Sequence, residues 1–236
     1  MLEDRGFSTV SVGLVRPHME KAQGPRGLFV PFPLGRPFGE PGDPAFQRRV
    51  LLAALRLLER TDGPVILADY AEDAPSQSGT AGWAPAFELP APAGPASAAD
   101  WARALRAEIE LVQPWHARAR ERFGRSSVGL SAQPPQAWPD YATAFLDGKL
   151  PDPPPPLTTP AFALRFLADD LKAFYTEAAQ ATGPVPSPDE INAWLYRRTL
   201  AGRLLVALRE VSLASENAAL KTAGGRFLVP ANWLPQ

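Results

Sequence analysis

Cysteine is absent from all 236 residues. Without a thiol the chain has no disulfide, no zinc–thiolate site and no thiol nucleophile of its own. Histidine is scarce as well: only His18 and His116 occur, too far apart in sequence to favour a histidine metal site. No excess of one charge exists either. Lys and Arg total 24 and Asp and Glu total 25, a net charge of −1, so the basic stripe of a nucleic-acid binder is missing. No run of about 18 apolar residues is present, which excludes a membrane-spanning helix. The start, "MLEDRGFSTV", is acidic where a signal peptide is basic and then apolar. These absences leave a cytoplasmic protein as the expectation. Its 45% hydrophobic and 21% charged content is ordinary for a globular chain, and its length suits one large domain or two small ones.

Proline, in contrast, is abundant: 28 residues, against a usual share of about 5%. It punctuates the chain. Residues 7–15 alternate Val10, Val12 and Leu14 with small or polar residues and predict a strand, and 28–32 predict a second. "RPHMEKAQ" between them predicts a short helix, so the pair forms a parallel βαβ unit, with Pro31 at a strand end or edge. Asp43 and Pro44 mark a helix start, followed by an apolar face of Val50, Leu51, Ala54, Leu55 and Leu58. "VILADY" predicts a third strand or an extended tail. A Pro/Gly-rich linker, 73–97, carries Trp83 and Phe87, expected to anchor it on a neighbouring surface. Beyond it, Ser97 and Asp100 start a helix that Pro114 should kink or end. A shorter helix over "PQAWPDYATAFLDG" and a long amphipathic one bearing Leu167, Leu171, Phe174, Tyr175 and Ala178 follow, separated by "PDPPPPLTTP", a stiff polyproline II connector. Ser187, Pro188 and Glu190 start one long last helix bearing Ile191 to Val211, before an extended tail, "GGRFLVPANWLPQ". The expected fold is α+β and mostly helical. It comprises a small parallel, Rossmann-like βαβ(α) piece over 1–72, the linker 73–97, and a C-terminal helical bundle over 98–236. Three short parallel strands make a poor core alone, so this piece either docks on the helical half or is completed outside this chain.

Nucleotide and hydrolase motifs are missing: neither a P-loop, nor G-x-G-x-x-G after a strand, nor a G-x-S-x-G elbow occurs. No motif requires a cofactor. "GRSSVGLS" reads as a helix-to-helix loop, or more sharply as an anion-binding turn with Arg125; Asp169 and Asp170 read as a solvated face or helix-dipole partners. Arg197, Arg198, Arg203 and Arg209 read as a solvated face, with partner binding as the alternative. The better-placed cluster is Arg16, His18 and Glu20 after the first strand with Gly35 and Arg36 after the second. In a parallel sheet the carboxyl ends of adjacent strands share one edge, and ligands bind there. Arg16, His18, Gly35 and Arg36 are therefore the candidate substrate-binding residues. The competing reading is that Arg16 and Arg36 cap the sheet edge and pair with Glu20 or Glu40.

Residues 6–59 resemble the glycine/sarcosine/betaine reductase selenoprotein B family, in its broad non-clostridial branch. The resemblance rests on V-R-x-H at Val15, Arg16 and His18, on "PRGLFVPF", and on "LGRPFGEPGDPAFQRRVL". "DLKAFYTEAA" is similar to the family's C-terminal extensions, less distinctively. The resemblance implies an oxidoreductase: reductive carbon–nitrogen cleavage of a small-molecule substrate, with thiol/disulfide turnover. The family's reactive selenocysteine or cysteine sits in a U-x-x-C or C-x-x-C motif before the helix that leads into the first strand. That position would fall upstream of Met1, so no catalytic residue carries over. Because a selenocysteine codon is also a stop codon, Met1 is expected to be internal to a longer frame. The chain is then a portion of such a reductase, inactive alone and needing its N-terminal half, or a Cys-free relative acting as a binding or assembly subunit.

Overall fold

The structure is a computed structural model that describes residues 2–73, 83–91 and 94–234. The chain is α+β and mostly helical, and it divides into two compact units, Met1–Gly79 and Thr80–Gln236. Part of the proline-rich stretch 73–97 lies outside the described residues.

The first unit holds a three-stranded parallel sheet, β1 (Ser11–Gly13), β2 (Arg26–Phe29) and β3 (Ile66–Asp69), in that order. The strands are shorter than the apolar runs that predict them. The last ladder bond at β2, Val30 N–H to Gly13 O at 2.9 Å, leaves Pro31 just beyond the pairing, where its missing N–H costs nothing. Residue alternation sorts the side chains. Val12, Leu14, Leu28, Val30, Ile66 and Ala68 share one face, covered by α2 (Pro44–Arg56). The other face is covered by α1 (Arg16–Ala22), whose Met19 lies over Gly13 and Gly27. The two crossovers step the same way across the sheet yet place their helices on opposite faces. They are therefore of opposite hand, and one departs from the right-handed rule.

Asp43 caps α2 as expected, accepting the Phe46 N–H at 2.9 Å, with Pro44 at the first helical position. The buried stripe differs from the expected one. It is Phe46, Val50, Ala54 and Leu57, while Leu51 and Leu55 remain 46% and 43% exposed. Phe46 decides the rotation of the helix. Its ring meets those of Phe32 and Tyr70, with centroids at 5.4 and 6.2 Å, and residues four and eight positions on follow it inward.

In the second unit, α5 (Pro160–Ala179) is the central helix, touching α3 (Ala98–Phe123), α4 (Trp138–Leu146), α6 (Pro188–Arg198), α7 (Leu200–Ala214) and α8 (Ala218–Ala223). Leu164, Leu167, Leu171, Phe174 and Tyr175 are fully buried on it. Helix α3 runs through Pro114 rather than ending there. Pro114 is exposed, so the carbonyl it leaves unbonded faces solvent, while Val112, His116 and Ala119 keep one buried stripe. "PDPPPPLTTP" is not a straight spacer: Leu157 N–H bonds Pro154 O at 2.9 Å, closing a turn before the Thr159 cap. The long last helix is broken into α6 and α7. Thr199 is extended there; its hydroxyl donates to Leu195 O at 2.7 Å and accepts the Gly202 N–H at 2.9 Å. Gly202 permits this corner, since a Cβ on it would stand 2.1 Å from Leu195 O. The expected extended tail is instead helical: α8, capped by Asn217, continues into a π turn, Gly224–Leu228, that buries Leu228 and Val229.

Candidate functional site

Of the candidate residues, Arg16, Gly35 and Arg36 follow the carboxyl ends of β1 and β2. Arg16 opens α1 directly after β1. Its guanidinium crosses the β2 face over the Phe29 ring (6.0 Å) and donates to Asp69 at the end of β3 (2.8 Å) and to Glu20 one turn along α1 (2.5 Å). Arg16 thus staples the outer strands together, and the hydrogen bond it donates to Asp69 raises its already high pKa. With Glu20 and Asp69 the cluster carries a formal charge of −1, an unfavourable field for an anionic substrate. His18 faces elsewhere, into a depression lined by Met19, Gly27 and Leu67.

The loop after β2 folds back on α2. Gln47 Nε2 donates to Glu40 O at 2.7 Å, and Gly39, at φ +86°, lies so close to the Phe46 ring that a Cβ would approach it to 2.6 Å. Asp43 then caps the helix. The prolines and glycines of "PLGRPFGEPGDP" are accounted for by this folding back. The loop frames an open depression of about 660 Å³ with Gly35, Arg36, Pro37, Phe38, Arg48 and Leu51 on its walls. Arg36 is ion-paired with Glu40. Gly35 and Arg36 therefore share one depression, His18 lines another, and Arg16 is engaged by carboxylates between the strands.

No family model matches this chain, and neither a curated protein nor a solved structure matches it.

The second unit contains anion-binding geometry around "GRSSVGLS", but its anions come from α5. Asp170 is fully buried and not solvated as expected from its sequence. It accepts the backbone N–H groups of Gly129, Leu130 and Ser131 at 2.8, 2.9 and 2.8 Å, and the Ser131 hydroxyl at 2.5 Å. One turn pair further, Glu177 accepts the Ser127 N–H at 2.7 Å and the Ser126 hydroxyl at 2.7 Å. His116 joins them, with Nε2 at 3.0 Å from Glu177 and 3.4 Å from Ser126 Oγ. Serine, histidine and carboxylate are together, but not as a nucleophilic relay. A relay needs the serine on one ring nitrogen and the carboxylate on the other; here both meet Nε2, and the hydroxyl donates to Glu177. Burial pushes His116 below the ordinary imidazole range, partly opposed by Glu177.

Glu108 is the other buried carboxylate that sequence reasoning passed over. It reaches from α3 to accept Tyr175 OH at 2.8 Å and the free N–H groups of Leu200 and Ala201, at 2.8 and 3.0 Å, in the first turn of α7. Burial pushes its carboxyl above the usual range despite these three donors.

Proposed function

We propose that this chain is the pocket-rim portion, or a Cys-free relative, of a selenoprotein B-type reductase. Reductive cleavage with thiol/disulfide turnover would then use a selenocysteine or cysteine supplied from outside this chain. One observation carries the reading: the block of strongest resemblance, Pro25 to Leu51, forms a continuous strand, folded-back loop and capped helix at the carboxyl edge of a parallel sheet, where open α/β sheets bind ligands. On this reading the three strands belong to a larger Rossmann-like sheet, the helical unit is a small bundle, and Gly35 and Arg36 rim the pocket for a small-molecule substrate, with Arg16 at the same sheet edge and His18 lining a separate depression. The chain has its protein partner, or N-terminal half, as the source of the redox residue.

The test begins with the gene. Translated in frame upstream of Met1, it should show a stop codon at the selenocysteine position and, on read-through, a family-like N-terminal half. The read-through protein with Cys in that position should cleave amine substrates with a dithiol reductant. Arg16→Ala and Arg36→Ala should each weaken substrate binding about tenfold by calorimetry, and Arg36→Ala, in a loop outside the sheet, should leave the fold intact. An upstream stop with no family-like half behind it overturns the reading. The ion pairs of Arg16 and Arg36 favour a second reading, a non-catalytic binding or assembly subunit, whose signature is a soluble, monodisperse isolated chain and unchanged ligand binding in both variants.

A further inference from the structure

We propose that a groove in the helical unit, between residues 83–91 and α6, binds a proline-rich peptide in the polyproline II conformation. This inference is independent of the reductase reading. The segment 83–91 is non-helical and is fixed by Phe87, whose ring stacks on Trp115 (5.2 Å between centroids, 24° between planes) and meets Trp194 edge-on (5.8 Å, 90°). Between segment and helix lies a groove of about 840 Å³ with Trp83, Phe87 and Trp194 on its walls. All three rings are partly exposed. Proline-rich peptides dock on flat aromatic walls of this kind, because their helix is preformed and loses little entropy on binding.

The polar groups of the groove select this occupant. Trp138, buried in the core, donates its indole N–H to Ser131 Oγ and Gln133 O, each at 3.2 Å. The indole N–H groups of Trp83 and Trp194 meet no acceptor among the described residues. Arg197 and Arg198, at the end of α6, add donors only. Arg203, also on the wall, already has a partner. Of the two carboxylates that line the groove, Glu190 is committed to its capping box, accepting the Ser187 N–H at 2.8 Å and hydroxyl at 2.9 Å, and Glu88 is exposed to solvent. N–H donors therefore exceed free acceptors beside the aromatic walls. A polyproline II chain is their complement: it makes no internal hydrogen bonds, its carbonyls point outward, and proline brings no N–H in need of an acceptor. A strand added along 83–91 would lack ladder donors at Pro85 and Pro90. An amphipathic helix, its backbone bonded internally, would leave both indoles unmet.

The test uses the full chain and decaproline, read by calorimetry. Saturable binding is expected, and a flexible Gly-Ser decapeptide should bind about tenfold more weakly or worse. Trp83→Ala should weaken decaproline binding about tenfold. Trp83→Phe, which keeps a ring and removes the N–H, should weaken it about threefold. Trp83 is partly exposed in a non-helical segment, so the far-UV circular dichroism and unfolding midpoint of both variants should match the parent. Absent decaproline binding, equal binding of the Gly-Ser peptide, or unchanged binding in both variants would each overturn the proposal. So would self-association of the chain in sedimentation that Trp83→Ala abolishes and decaproline does not compete with, since that assigns the groove to a second copy.

Discussion

Asp170→Asn is the most discriminating perturbation of the second unit. The carboxylate is fully buried and receives four hydrogen bonds, two on each oxygen. Asparagine keeps the shape but removes the charge and turns one acceptor oxygen into a donor. Two of the four bonds are lost, and an amide NH2 is set against the N–H groups that remain. Hydrogen bonds to a charged group contribute about 1.5–3 kcal/mol each, and breaking a buried charged network costs about 3–5 kcal/mol. We expect a loss of about 3–5 kcal/mol. For a unit of this size, Thr80–Gln236, each kcal/mol moves the midpoint by about 2–4 °C, so Tm should fall by about 6–20 °C. The assay is thermal unfolding of the full chain by tryptophan fluorescence. All six tryptophans lie beyond residue 80, so the signal reports this unit alone, and Trp138 Nε1, donating to Ser131 Oγ at 3.2 Å, reports the loop itself. The control is Asp169→Asn. Asp169 pairs with Lys172 at 2.8 Å with both side chains partly exposed, and its loss should cost about 0.5 kcal/mol. Equal midpoints for the two variants would refute the claim that the loop is organised around Asp170.

Two further outcomes follow from the α6–α7 corner. The Glu108 carboxyl is held above its ordinary 4.5 by burial, so the folded state keeps a proton that the unfolded state releases, and stability falls as pH rises from 4.5 through the raised value. The stability of the parent relative to Glu108→Gln should therefore decline between pH 4.5 and 7 in denaturant titrations; parallel profiles would contradict it. Gly202→Ala should cost about 3 kcal/mol or more, because its Cβ would lie 2.1 Å from Leu195 O and 2.7 Å from Tyr196 Cα, whereas Gly225→Ala, with Leu213 Cδ2 at 3.7 Å, should shift the unfolding midpoint little.

The features legible in the sequence are those whose causes lie within a few residues. Asp43 and Ser187 cap their helices because the N–H groups that they bind are three positions away. The pairs Arg16–Glu20, on α1, and Arg36–Glu40, in the loop after β2, are each four positions apart and are readable for the same reason. What was not readable is closed over distance. Asp170 looks like a surface carboxylate until residues 129–131, some 40 positions earlier, supply its donors. The hydrophobic period runs on across Thr199, and the helix breaks there because Glu108, 92 positions away, accepts the Leu200 N–H that the break exposes. Arg16 likewise finds Asp69 across 53 positions.

That division bears on where a ligand can act. Carboxylates and guanidiniums in an interior satisfy one another or the backbone, since an unpaired buried charge is prohibitive. Asp170 and Glu108 are each met by amides from distant segments, Glu177 by a serine pair and His116, and Arg16 by two carboxylates. Polar residues so engaged maintain the fold, and a substrate reaching them would have to displace a partner already at hydrogen-bonding distance. The Gly35–Arg36 rim is less constrained, with one carboxylate on its arginine and Arg48 beside it. Of the sheet-edge residues, Gly35 and Arg36 are therefore the ones that an anionic ligand reaches at least cost, by displacing a single carboxylate from Arg36.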